Sequence, residues 1–432
     1  MRMFAVAVLA ITLLSGMPRA LAQQPPAVPP QVVGRVLTLD EALAIALENQ
    51  PNIHARLSDY AAAAYRVDQA LSPLLPQVSA GVTAARTRSA GTTTTGPAIR
   101  AFDDSTLARV SVSQLLFDFG KTFASTEVAR KLADVASEDV ELQRQLITLA
   151  VKESYTNINF AQRLIAVQQQ ALERAELNLR SARGFFEVGT RPKSDVARAE
   201  VDVANARVDL IRARNAERNA RVALNTAMGI AANTPTQIQD NLVYEPVTLD
   251  PAQLLGEAHR QRPESRQARL QVEAADARAR RAFRDFFPDI TASGFYGGTR
   301  ADLQEIWEIG LGLSWSLFDG GNRMARYRET RVLLEGAQAR VRATELDISR
   351  EVEQAQINVS EANERIQAAK TAVESALENF RLAQGRFDAG VGTILELTDA
   401  QLALTQTQNA ETQALADYRI ALARLQRAVG RR

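Results

Sequence analysis

The sequence contains no cysteine, which excludes disulfides, thiolate metal sites and a lipid-modified N-terminal cysteine; the fold has to hold by packing alone. Aromatic residues are sparse, with 15 Phe, 7 Tyr and 2 Trp in 432 residues, so a single large globular core is not expected. His54 and His259 are the only histidines. Neither has carboxylates at a metal-binding spacing, and no Ser or Cys triad can be assembled around them. The reading is no catalytic residues, no metal and no cofactor. A nucleotide loop is also missing: Gly120-Lys121-Thr122 resembles the end of one, but the motif needs glycine where Leu115 stands. No stretch after the N-terminus offers 18 uncharged apolar residues, which excludes a helical membrane span, and any membrane contact is left to strands.

What is there begins with Arg2, an apolar run from Met3 to Leu14, and Ala20-Leu21-Ala22. About 12 apolar residues are short for a membrane anchor, the alternative reading, because roughly 20 are needed to span. The pattern predicts a signal peptide over 1–22. Removing it takes Arg2 and Arg19 and leaves 49 basic against 50 acidic residues, a net charge of −1. That balance argues against nucleic acid as a partner. Long stretches rich in Ala, Gln, Arg and Glu have the composition of coiled-coil helices.

The chain repeats itself. Leu116-Phe117-Asp118-Phe119-Gly120 recurs as Leu317-Phe318-Asp319-Gly320-Gly321, an offset of 201, which also pairs Asn157 with Asn358, Gly184 with Gly385, Gly189 with Gly390 and Gly229 with Gly430. Upstream, Thr38-Leu39-Asp40 matches Thr248-Leu249-Asp250, and Pro51 and Pro76 match Pro263 and Pro288. After a linker over 23–37, the first repeat is expected over 38–230, and after a second linker over 231–248 the second repeat runs over 249–430. Each half reads as a short helix capped by Asp40 or Asp250, a helix opening at Pro51 or Pro263, a β-hairpin, a long helix and a return helix. The hairpins are placed at 76–117 and 288–318, the long helices at 118–186 and 319–387, and the return helices at 191–229 and 393–430. The segment from Ser89 to Asp104 reads as a loop.

From Trp307 to Leu317 apolar and polar residues alternate: Trp307, Ile309, Leu311, Leu313, Trp315 and Leu317 against Glu308, Gly310, Gly312, Ser314 and Ser316. Val78, Ala80 and Val82, and Ala108, Val110 and Val112, alternate in the same way. Such strands suit either a soluble sandwich or a lipid-facing barrel. Trp307 and Trp315 favour the barrel, since eight residues of strand climb roughly 20 Å, near the height of an apolar band flanked by aromatic girdles. Four strands cannot close a barrel, and open edges are not tolerated in lipid, so several chains are required.

A helix of about 65 residues is a rod near 100 Å, longer than any compact domain. The return helix and the proline-led helix together span roughly 90 Å, so the two can stack end to end beside it. Heptads mark the seam: Val196, Val203, Leu210, Glu217 and Leu224 in one half, and Leu397, Leu404, Glu411, Tyr418 and Leu425 in the other. A second stripe, Val201, Val208 and Val222, predicts contact with more than one neighbour, as in a closed cylinder. A periplasmic coiled-coil scaffold without a pore is the alternative, which leaves the amphipathic hairpins unexplained.

These features resemble the TolC-type outer-membrane efflux proteins over essentially the whole mature chain. The resemblance rests on the duplicated order, on Leu-Phe-Asp-x-Gly where strand enters helix, and on Val188-Gly189-Thr190 and Ala389-Gly390-Val391-Gly392-Thr393 at the helical turns. It implies a mainly α fold with a small β part: a homotrimer whose helices form a periplasmic tunnel and whose hairpins share a 12-stranded barrel in the outer-membrane lipid. It implies a non-enzymatic exit duct for efflux or secretion. Val188, Gly189, Thr190, Gly390, Val391 and Gly392 would meet a periplasmic adaptor serving an inner-membrane transporter. By resemblance again, Glu396 and Asp399 match the acids ringing the closed aperture, although acids in a first helical turn also suit the helix dipole without further role. Asp195 matches a family aspartate that latches the tips. Its usual tyrosine partner is Phe387 here, which has no hydroxyl to donate, and Arg191 is a candidate partner for Asp195.

Overall fold

The computed structural model describes residues 34–91, 99–247, 250–299 and 305–431; the expected signal peptide lies outside them. The order is β1 (Val36–Leu37), α1 (Leu39–Asn49), α2 (Pro51–Leu71), β2 (Gln77–Gly91), β3 (Ile99–Phe117), α3 (Lys121–Glu187), α4 (Lys193–Ala227) and β4 (Gln237–Ile238). The second half supplies α5 (Pro251–Gln261), α6 (Pro263–Arg284), β5 (Asp289–Thr299), β6 (Glu305–Ser314), α7 (Asn322–Asp388) and α8 (Ile394–Val429). The rods α3 and α7 each contain 67 residues, about 100 Å at 1.5 Å per residue. Along each rod the two shorter helices lie end to end, α4 and α2 against α3, α8 and α6 against α7.

The rods begin at Lys121 and Asn322, three residues after the aspartates that mark them in sequence. Asp118 is a capping residue outside the helix: its carboxylate accepts from the Gly120 amide at 2.9 Å and the Thr122 amide at 2.6 Å. Asp319 accepts from the Arg323 amide at 3.1 Å. The turn needs a left-handed residue after each aspartate. Gly320 (φ 69°) provides it in one half, whereas Phe119 (φ 53°) does so in the other and is the single non-glycine positive φ among the described residues. Lys121, the lysine of the nucleotide-like tripeptide, instead pairs with Asp289 at 2.8 Å.

The cap of α1 is Thr38 rather than Asp40. Thr38 and Glu41 form a reciprocal capping box that satisfies two otherwise orphaned amides, and this leaves Asp40 inside the first turn. Asp250 does cap α5, accepting from the Ala252 amide at 3.2 Å. Parts of the two linkers also find each other: β1 and β4 pair in parallel, with the Tyr155 hydroxyl within 3.0 Å of the Leu37 carbonyl and 2.8 Å of that of Gln239.

The core is two similar mid-rod clusters rather than one mass. Ile147, Val151, Ile158 and Leu224 are buried in the first, and their repeat equivalents Ile348, Val352, Val359 and Leu425 in the second. Beside the second cluster lies an ion-pair network without counterpart among the described residues of the first half. Arg262, with 2% of its side chain exposed, pairs with Glu264 and Glu351 at 2.6 Å each. Arg427 reaches the same two carboxylates at 2.9 Å. Gln50 occupies the matching joint in the first repeat and donates to the Ala227 carbonyl at 3.0 Å.

Burial pushes the Glu264 carboxyl up, but Arg262 and Arg427 outweigh it and hold the group below the usual carboxylate range. A depressed folded value means that the stabilisation is complete above the unfolded value near 4 and is lost as pH falls through the folded one. Thermal unfolding of Glu264→Gln should therefore lose most of its difference from wild type in acid. Arg262→Ala leaves two half-buried acids to share Arg427 alone and should cost about 2 kcal/mol at neutral pH; an unshifted melting curve would contradict this.

Candidate functional site

Each rod ends in a tight turn that returns the chain into α4 or α8. In the first, the Gly189 and Thr190 amides donate to the carbonyls of Phe186 and Phe185, both at 3.0 Å. In the second, Gly390 and Val391 donate to Phe387 and Arg386 at the same distance. Both are glycine-dependent helix ends, with φ of 78° at Gly189 and 77° at Gly390. Val188 and Val391 are left about 70% exposed on these turns, an apolar surface with no partner among the described residues. At Gly392 an added Cβ would sit 2.9 Å from the Phe387 nitrogen, so the backbone itself excludes any larger residue.

Arg191 joins the two tips. Its Nη2 donates to the Gly392 carbonyl at 2.5 Å, its guanidinium lies 4.8 Å over the Phe387 ring, and Nη1 is 3.8 Å from Asp195. Phe387 is fully buried in a small cluster with Ile394 and Leu397, and meets Phe185 of the first repeat edge-on at 5.7 Å. The three residues singled out from the sequence as a latch thus converge, with Arg191 at the centre. Phe387 contributes its ring face to a cation where a tyrosine would contribute a hydroxyl.

Glu396 and Asp399 sit on exposed surface at the start of α8. Thr393 caps that helix, its hydroxyl accepting from the Glu396 amide at 3.2 Å. Glu396 is 3.6 Å from Arg386, both half-exposed, a contact worth little in water. Asp399 has no ion pair among the described residues.

Above the tips, the repeats are bound by a polar seam between α3 and α8. Asn178 donates to Gln401 at 2.6 Å, Gln401 to the Ala171 carbonyl at 3.2 Å, and Gln168 to Asn409 at 3.3 Å. The sequence carried a signal for this: Gln168, Ala171, Ala175, Asn178 and Ala182 follow three-four spacing and are all buried. Polar residues in such a stripe fix register.

At the opposite end the strands form one antiparallel sheet in the order β2-β3-β5-β6. The register gathers apolar residues from all four strands on one face: Val78 opposite Val112, Val110 opposite Tyr296, Tyr296 opposite Trp307, and Ile290 opposite Leu313. This face is bare. Val82 is 75% exposed, Ile309 83% and Leu311 78%. Among the described residues, the outer edges of β2 and β6 have no strand beside them. Pairing continues into the expected loop, with Ser89 opposite Ala101 and Gly91 opposite Ile99, because the ladder gives those backbone groups partners; residues 92–98 lie outside the described part.

Trp307 lies in β6, but the strand ends at Ser314, one residue before Trp315. Trp315 turns its indole nitrogen to the Phe286 carbonyl at 3.0 Å, and that contact takes it out of the ladder. Phe286 in turn meets Phe283, part of an aromatic belt that sequence reading missed. Phe119 stacks on Phe287 at 5.3 Å and meets Phe117 edge-on at 4.8 Å, while Phe283 contacts Phe287 and Tyr327. The clue was positional: seven of the 15 phenylalanines fall at 117–123, 283–287 and 318.

The sequence matches the family described as outer membrane efflux protein over residues 42–230 and 254–431. The chain belongs to that family. It is 25% identical to the outer membrane protein TolC of Escherichia coli over 88% of this chain and 80% of that protein. It is also 25% identical to the alkaline protease secretion protein AprF of Pseudomonas aeruginosa, over 88% of this chain and 82% of that one. The fold superposes on the outer membrane protein VceC from Vibrio cholerae with a TM-score of 0.76 and 19% identity, covering 91% of this chain and 96% of the other. Members of this efflux family are channels rather than enzymes, and the protein is placed in the outer membrane with its helices in the periplasm.

The tip geometry can be tested through its least tolerant position. Gly392→Ala should shift the second turn, release the Arg191 contact and increase proteolytic nicking near residues 388–394. Cleavage at the wild-type rate would show that the turn accommodates the methyl group.

Proposed function

We propose that three copies of this chain form a closed duct through the outer membrane, passively conducting substrates from periplasm to exterior. The bare apolar face with its two free edges supports this reading. In hydrocarbon each unpaired amide or carbonyl along those edges costs several kcal/mol, and pairing β6 of one copy with β2 of the next removes that cost. Twelve strands in a ring fall within the known range of membrane barrels.

The helices support the same closure. Among the described elements α7 lies at one flank of the protomer and α2 and α4 at the other. Leu346 is 72% and Ile357 57% exposed on α7, while Tyr65 on α2 and Val201 and Ile211 on α4 are 57–68% exposed. These unpartnered stripes complement one another when copies are placed around an axis. A solvated scaffold would leave all of them in water.

At the periplasmic end, the Arg191, Asp195 and Phe387 contact ties the two tips of a protomer together and acts as a latch. The exposed turns around Val188 and Val391 are the surface offered to an adaptor that connects the duct to an inner-membrane transporter, a reading supported by their unpartnered valines. Glu396 and Asp399 from three copies would bring six carboxylates to the aperture, a ring that attracts cations and hinders anions.

In planar bilayers, Glu396→Ala with Asp399→Ala should lower cation over anion selectivity; unchanged selectivity would remove both from the aperture. Arg191→Ala should raise single-channel conductance by loosening the tips, and an unaltered closed state would remove Arg191 from the latch. Recovery of the wild-type protein solely in the soluble periplasmic fraction would sink the duct itself.

A further inference from the structure

A cleft of about 490 Å³ lies just below the sheet, between α6 and α7. Phe119, Phe283, Phe287 and Tyr327 make its apolar wall, and Arg280, Arg284 and Arg331 its charged one, with Asp276 the single acid. We propose that this cleft binds the phosphate-bearing headgroup of an anionic phospholipid from the periplasmic leaflet, the first acyl segments lying on the aromatic wall.

The aromatic wall continues the membrane face. The bulge between Leu115 and Phe117 brings Phe117 opposite Ile290, which lies on the same side as Leu311 and Leu313. From Phe117 the rings run in contact through Phe119 and Phe287 to Phe283 and Tyr327. The cleft therefore opens on the lipid side, at the end of the strands, where Trp315 marks the level at which indoles gather near headgroups.

The charges are unequally satisfied. Arg280 is committed to Glu127 at 2.7 Å and Asp276 at 3.3 Å. Arg284 uses Nη1 on the Gly120 carbonyl at 2.6 Å. Arg331 has no ion pair or hydrogen bond among the described residues. Two guanidiniums thus keep free donors beside one already neutralised acid, which suits a phosphate diester.

The internal duplication supplies a control. At the offset of 212 set by Pro51 and Pro263, Arg280, Phe283, Arg284 and Phe287 correspond to Asp68, Leu71, Ser72 and Leu75. The matching groove between α2 and α3 contains Tyr65, Asp68, Arg130 and Asp134. Only Arg331 has a basic equivalent there, Arg130. One half carries both the rings and the cations, and the other carries acids.

The proposal rests on the sheet being the membrane-spanning part, so the test begins with full-length protein recovered from the outer-membrane fraction. Native mass spectrometry of that protein in detergent would compare retention of phosphatidylglycerol and phosphatidylcholine. Wild type should retain phosphatidylglycerol preferentially. Arg331→Gln should weaken this by about fivefold, the factor for one lost interfacial cation, and adding Arg284→Gln should weaken it further. Arg130→Gln should leave it unchanged, and Arg331→Gln breaks no internal contact and should fold normally. Wild-type retention in Arg331→Gln, equal loss in Arg130→Gln, or displacement by inorganic phosphate alone would overturn the lipid site while leaving the duct standing. Absence of wild type from the membrane fraction would overturn both.

Discussion

A peptide group without a hydrogen-bond partner is tolerable in water and costs several kcal/mol in hydrocarbon. That single constraint organises this protein. Four strands with one bare apolar face and two open edges are unstable as a monomer in either solvent, since water penalises the face and lipid penalises the edges. Pairing between copies answers both penalties at once. On the duct proposed above, the helices below the sheet keep several protomers parallel and adjacent over about 100 Å, which accounts for rods where most proteins have compact layers.

The duplication shows how such a protomer can be made from one unit and where the two copies had to diverge. Equivalent mid-rod residues, such as Ile147 and Ile348 or Leu224 and Leu425, kept their apolar character because both halves pack the same way. Divergence falls where the halves have different surroundings. The joint held by Gln50 in one half is held by the Arg262 network in the other. The turn before each rod is made by Phe119 in one half and Gly320 in the other. Phe119 accepts an unfavourable backbone conformation, of order 1–3 kcal/mol, and its ring gains a stacked partner in Phe287.

Much of this was legible in the residues. A sustained helical stretch without proline, flanked by glycines at a fixed offset, defined the rods, because breakers are the strongest local punctuation. Strict alternation around Trp307 showed the amphipathic face because successive side chains in a regular strand point to opposite faces. The misreadings share a cause: they occurred where tertiary partners override local pattern. Asp40 is a good cap by type, yet Thr38 wins through a reciprocal bond to Glu41. Trp315 continues the alternation, but its indole finds the Phe286 carbonyl and leaves the ladder. Ser89 to Asp104 looks like loop by composition, although the hairpin extends its ladder into both ends. The aromatic belt escaped notice because its members are distant in sequence and meet only where three elements converge.

At the tips, the substitution of phenylalanine for the tyrosine expected from the resemblance is informative about how the two turns are held. A hydroxyl would have made one directional bond to an acid. Here Arg191 satisfies the Gly392 carbonyl, covers the Phe387 ring and faces Asp195 from a position only 14% exposed. Three weak, differently directed attractions meet on one side chain. None has the geometric stringency of a hydroxyl–carboxylate bond, so the pair of turns can slide by small amounts before all three are lost. A contact of that kind is cheap to open by an outside partner that supplies its own carbonyl or ring to the guanidinium. The valines beside it, Val188 and Val391, are left exposed on the same two turns.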